Sequence, residues 1–182
     1  YGECTLSLGK GSYDYTVNHP NYYDYSGTIT VGTGSQGIYL KDGDYAQNTG
    51  NILSAGAGTV GIYANNASVH VTNGGNIDLS GDKSIGIYSI GTIPQNINNT
   101  GKITATAGNK AIGIYGNQNV VAGTNSSGNI SLFTGTEIDM SSSKGGVGIY
   151  SNGISISGLG NTKITVGENG TGLYIKDSNA NF

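Results

Sequence analysis

The sequence predicts an all-β fold, a right-handed parallel β-helix (solenoid) of about six coils of ~25 residues. Three observations predict it. A Gly-Ile/Leu-Tyr triplet occurs six times, at Gly37-Ile38-Tyr39, Gly61-Ile62-Tyr63, Gly86-Ile87-Tyr88, Gly113-Ile114-Tyr115, Gly148-Ile149-Tyr150 and Gly172-Leu173-Tyr174. Its tyrosines fall at intervals of 24, 25, 27, 35 and 24 residues, inside the range of solenoid repeats. Ahead of each triplet lies an alternating pair: Ile29/Val31, Ile52/Ser54, Ile77/Leu79, Ile103/Ala105, Ile138/Met140 or Ile164/Val166. A third, less regular set is Val69/Val71, Ile97, Ile130/Leu132 and Ile154/Ile156.

Each pair is two residues apart, which marks a strand with one buried face. Stretches such as Ser80-Gly81-Asp82-Lys83 separate the strands and read as tight corners, because Gly, Asn and Asp tolerate the turn conformations. Three short strands per coil, with the same side chain returning once per coil, are expected when coils stack at ~4.8 Å. An antiparallel sandwich or propeller is the competing fold, but it calls for hairpin signals that are missing here. The composition agrees. There are 33 glycines in 182 residues and only 10% charged residues, which suits a chain that turns often and is not a solvated, disordered one.

Within the triplet strand, alternation predicts Val60, Ile62 and Ala64 on the inner face, with Gly61 and Tyr63 on the outer. The tyrosines Tyr39, Tyr63, Tyr88, Tyr115, Tyr150 and Tyr174 then form an exterior ladder about 24 Å long. On this reading the glycine leaves the surface flat beside each ring. The ladder has a structural reading, rigidifying the solenoid, which is the favoured one. It also has a functional reading, as a flat aromatic surface for glycan or protein contact.

Two stretches depart from the repeat. Residues 1–25 are rich in tyrosine and read as a cap or irregular coil over the open end, with a contact patch of Tyr13, Tyr15, His19, Tyr22, Tyr23 and Tyr25 as the sharper alternative. The long interval between Tyr115 and Tyr150 places an excess at 116–128, expected to project as a loop. Residues 26–182 are assigned to the repeats.

Nothing in the chain points to catalysis. All eight basic residues are lysines, the net charge is −3, and no clustered basic patch indicates nucleic acid as a partner. The close acid pairs are Asp42/Asp44, Asp78/Asp82 and Glu137/Asp139, while His19 and His70 fall in different repeats. Asp78 and Asp139 are expected at equivalent outward positions two coils apart. Solvated strand and corner positions explain these acids better than a catalytic pair, and Asp42-Gly43-Asp44 lacks the repeat of calcium-binding β-rolls. No catalytic residue, metal site or cofactor is assigned. Cys4 is the single cysteine, so no disulfide framework forms within the chain. That scarcity fits passage through an oxidising periplasm. No apolar run approaches a membrane span. The chain opens at Tyr1 among polar neighbours, so an export signal is expected elsewhere.

The recurring N-x-G-x-I-x-V/L and x-G-I-Y-x elements over residues 26 to 176, in a chain rich in Asn and without Arg or Trp, resemble the passenger regions of large fusobacterial autotransporter adhesins of type V secretion. The resemblance implies an extracellular β-helix on the bacterial cell surface, exported through a C-terminal outer-membrane β-barrel encoded elsewhere in the chain. It implies partners that are host-cell glycans or protein receptors, or other bacteria, and a role in adhesion and virulence. A structural stalk or surface filament without its own ligand is the first alternative. A carbohydrate-active β-helix enzyme, lyase or tailspike-like, is the second.

Overall fold

The computed structural model describes residues 24, 25, 27–41, 45–66, 70–119 and 127–182. Eighteen strands form three six-stranded sheets. Sheet A holds β1 (Asp24–Tyr25), β4 (Ala46–Asn48), β7 (His70–Asn73), β10 (Asn96–Asn99), β13 (Asn129–Leu132) and β16 (Ser155–Ser157). Sheet B holds β2 (Thr28–Val31), β5 (Asn51–Ser54), β8 (Asn76–Leu79), β11 (Lys102–Ala105), β14 (Glu137–Met140) and β17 (Lys163–Val166). Sheet C holds β3 (Gln36–Lys41), β6 (Val60–Asn65), β9 (Ile85–Gly91), β12 (Ile112–Gln118), β15 (Val147–Asn152) and β18 (Thr171–Lys176). Three consecutive strands make one rung, and each pairs only with its counterparts in the rungs above and below.

All the pairings are parallel. The chain is therefore a parallel β-helix, and the antiparallel alternative is overturned. Register follows the sequence repeat: Ile29, Ile52, Ile77, Ile103, Ile138 and Ile164 form one column of sheet B. From sheet C, Ile62, Ile87, Ile114 and Ile149 meet them, each 0% exposed. Val71, Ile97, Ile130 and Ile156 close the core from sheet A. The core is a thin aliphatic column because each rung contributes only a few inward side chains, and in-register stacking repeats them along the axis. Val69 of the expected third strand lies outside the described residues, and Ile154 is buried just ahead of β16.

One feature of the triplet strand corrects the alternation expected from sequence. Gly61 does not face outward with Tyr63; it is buried, and a Cβ on it would lie 2.6 Å from the Gly86 carbonyl oxygen and 2.9 Å from Ile77 Cγ2. Gly86, Gly113 and Gly148 face Ile103, Ile138 and Ile164 of sheet B at 2.7, 2.6 and 2.6 Å in the same way. Glycine and the following isoleucine both turn inward. Val60, Ile85, Ile112 and Val147, expected inside, stand half-buried on the outer face instead. The physical reason is the corner: where the chain swings from sheet B into sheet C, two successive residues face the core, and the first runs so close to sheet B that no side chain fits.

That corner is built on left-handed backbone in every rung. Gly34, Gly58, Lys83, Lys110, Gly145 and Asn169 have φ of 70, 64, 56, 56, 67 and 55°. Their amides reach along the axis, as in Gly58 N to the Asp82 carbonyl at 2.8 Å and Lys83 N to the Asn109 carbonyl at 2.7 Å. The Ser80-Gly81-Asp82-Lys83 turn is part of this column.

The excursion after Tyr115 also starts later than expected. Gly116 and Asn117 continue β12, paired with Ser151 and Asn152 of β15, because sheet hydrogen bonds on both sides hold them. Residues 120–126 lie outside the described residues. The two ends of the excursion are tied by buried Gln118, whose Oε1 accepts from Gly128 N at 2.6 Å and from Gln95 N at 3.4 Å.

Candidate functional site

The outer wall of sheet C carries the tyrosine ladder. Tyr39, Tyr63, Tyr88, Tyr115, Tyr150 and Tyr174 are direct register partners. Consecutive ring centroids are 5.2, 5.1, 4.8, 4.6 and 4.8 Å apart, with interplanar angles of 11, 19, 11, 3 and 3°. The six rings span about 24 Å, five steps at the interstrand spacing. All lie on the face opposite the buried isoleucines. Tyr39 to Tyr150 are half-buried, and Tyr174 is 47% exposed.

Because each ring stacks on the next, the ring faces are covered by one another. The wall presents ring edges and hydroxyls. Each stacked pair contributes about 0.2 to 1 kcal/mol to the sheet. Burial raises the pKa of Tyr63 and Tyr115 above the ordinary phenol value, and the neighbouring tyrosines push the same way. At Tyr115 the Tyr150 hydroxyl adds to this rise and the Asn117 side chain opposes it.

Beside the ladder run two further outward columns. Gln36, Val60, Ile85, Ile112, Val147 and Thr171 form one; Lys41, Asn65, Ile90, Asn117, Asn152 and Lys176 form the other. The four central rungs of this wall carry no charged residue in these columns. The Val/Ile column escapes simple alternation, and only the inward turn of the glycines reveals it.

The acids are held in structural ties. Glu137 bonds Lys102 and Lys163 on the flanking strands at 3.0 Å each, and both lysines hold its carboxyl below the usual range, Lys163 most. Asp139 Oδ1 accepts from Ser141 N at 2.9 Å, and Asp82 Oδ1 accepts from Asn109 N at 2.7 Å. Asp78 and Asp139 share an outward column with Thr104 between them, two rungs apart as expected. Among the described residues no group of three His, Cys, Asp or Glu is placed to hold a metal ion, and no helix is long and apolar enough to cross a membrane.

Tyr13, Tyr15, His19, Tyr22 and Tyr23 lie outside the described residues, as do Cys4 and Asp42-Gly43-Asp44. Tyr25 and His70 are placed by backbone only, in β1 and β7. The contact patch expected at residues 1–25 thus lies outside the described residues, apart from the backbone of Tyr25.

A second ladder runs inside the molecule, unforeseen although its signature recurs in the sequence. Asn48, Asn73 and Asn99 are 0% exposed. Asn48 Nδ2 donates to Asn73 Oδ1 at 2.8 Å, and Asn73 Nδ2 donates to Asn99 Oδ1 at 2.7 Å. Each Nδ2 also donates to the carbonyl two residues on, at Gly50, Gly75 and Gly101. The recurring Asn-x-Gly is the visible trace of this corner. Read as a surface turn, it conceals that the amide points inward.

Comparison of the chain with protein-family models, with curated proteins and with solved structures finds no match in any of the three.

Proposed function

We propose that this chain is a non-catalytic, extracellular section of an autotransporter adhesin passenger on a bacterial cell surface, a rigid solenoid that extends and presents surface for attachment to host cells or other bacteria. The single observation that carries it is the outer wall of sheet C: a continuous ladder of six tyrosines flanked by an aliphatic column, with no charge in the columns of its central rungs. A soluble scaffold gains nothing from exposing such a stripe unless it stiffens the wall or meets a partner. The autotransporter assignment rests on the repeat elements and the composition described above. Type V export would supply an outer-membrane barrel from another part of the protein, and no cofactor enters the proposal.

The covering of ring faces by their neighbours favours the second reading, a stalk or filament with no ligand of its own, for the ladder itself. Sugars stack on aromatic faces, and here only edges are offered. The test is binding of the 182-residue chain to a glycan array and to cultured host cells. Saturable binding supports the adhesin. Clean failure on both, with the chain folded, overturns a ligand-binding role for this section and leaves the stalk. Release of reducing ends from a polysaccharide panel would instead establish a carbohydrate-active enzyme.

A further inference from the structure

We propose that the tyrosine ladder is a site of one-electron oxidative coupling, in which a peroxide-driven oxidant joins neighbouring rings, above all Tyr115 with Tyr150 and Tyr150 with Tyr174, into dityrosine. Adjacent rungs would then be bolted together covalently. The proposal does not depend on what the protein binds.

Three observations lead to it. The rings are in contact and nearly parallel: the last two steps are 4.6 and 4.8 Å with planes within 3°. In such a stack a radical formed on any ring is one ring contact from the next. The stack also has an entrance, because Tyr174 is 47% exposed. Finally, the described residues offer no easier surface target. The chain has no Trp, its single Met140 is 0% exposed, and its single Cys4 lies outside the described residues.

The chemistry balances. Two phenols each give up one electron and one proton to become phenoxyl radicals, and one hydrogen peroxide takes up both electrons and both protons to become two waters. The radicals pair in a new carbon–carbon bond between ortho positions. The hydrogen on each coupled carbon then shifts back to the oxygen, restoring two phenols in a product two hydrogens lighter.

Cleavage after lysine makes the test clean. Tyr115, Tyr150 and Tyr174 fall alone in peptides 111–144, 145–163 and 164–176. The dilute full chain, with Cys4 alkylated, is treated with hydrogen peroxide and a haem peroxidase, and the monomer is digested with trypsin and mapped by mass spectrometry. The expected result is a monomer two hydrogens lighter with blue dityrosine emission, in which 145–163 is joined to 111–144 or to 164–176 more than any other pair is joined. In Tyr150→Phe, whose ring keeps the stack and the circular dichroism spectrum, both joined species are lost. Coupling only between molecules, or only through tyrosines outside the ladder, overturns the proposal. So does direct joining of 111–144 to 164–176 in Tyr150→Phe at the parent yield, since those rings are two rungs apart. Mapping of the parent protein decides the matter even where the variant folds poorly.

Discussion

Ser54 sits in the core column of sheet B between Val31 and Leu79. Its hydroxyl is buried and, among the described residues, is the one such side-chain polar atom without a hydrogen-bond partner. A buried, unpaired hydroxyl is a net cost, so Ser54→Ala is expected to raise stability by about 1 kcal/mol, read as a higher urea midpoint at unchanged slope. Gly86 lies at the other extreme. A Cβ there would stand 2.5 Å from the Gly113 carbonyl oxygen and 2.7 Å from Ile103 Cγ2, with paired backbone that cannot move aside. Gly86→Ala is expected to cost about 2 to 3 kcal/mol. Gly32→Ala, where nothing lies within 4 Å, is the matched control and should stay within about 0.5 kcal/mol of the parent.

At the scale of the element, the two ladders respond to different perturbations. Asn73 is the middle of the interior one, and Asn73→Leu removes its two ladder hydrogen bonds and the one to the Gly75 carbonyl, leaving the Asn99 Oδ1 acceptor buried without its ladder partner. The expected loss is about 2 to 3 kcal/mol in equilibrium unfolding. The tyrosine ladder is sensitive to alkali instead. With the pKa values of Tyr63 and Tyr115 raised above 10.0, the folded state holds these phenolic protons more tightly than the unfolded chain. Their contribution is intact below pH 10 and is lost as pH rises through the elevated folded values. Spectrophotometric titration should show phenolate absorbance in the folded protein lagging that of the urea-unfolded chain, with unfolding on the alkaline side. Glu137 has the opposite sign. Its depressed carboxyl stabilises the fold above the ordinary glutamate pKa, and that help disappears as pH falls through the lowered folded value. The group is exposed, so the effect of Glu137→Gln should be small and screened by salt. The left-handed corner offers a further check: Lys83→Gly relieves a φ of 56° and should be neutral or stabilising by up to about 0.5 kcal/mol.

For the whole molecule, each rung touches only its neighbours, so stability is nearly a sum of rung and interface contributions. Removing one complete repeat, residues 76–101, joins Gly75 to Lys102 at equivalent points of successive rungs. The shortened chain should fold with parent-like circular dichroism per residue and a five-ring ladder. Removing half that length breaks the register of all three sheets at once, and should leave an unfolded or aggregated product.

The sequence by itself determined the rung. Recurrence of Gly-Ile-Tyr and of alternating isoleucine pairs named the strands, their order and their parallel stacking, because in-register coils must repeat the same side chain at the same place. It also placed the tyrosines outside, as a ladder of the expected length. Only the tertiary structure decided which way the corner residues face. Alternation assigns Gly61 outward and Val60 inward, but the bend between sheets B and C reverses both, since a period of two holds only along a straight strand. The same holds for Asn48, Asn73 and Asn99, whose spacing was legible but whose inward direction depends on the neighbouring rung supplying a partner. A side chain's direction at a corner is set by the close approach of two sheets, and no local pattern in one strand encodes that distance.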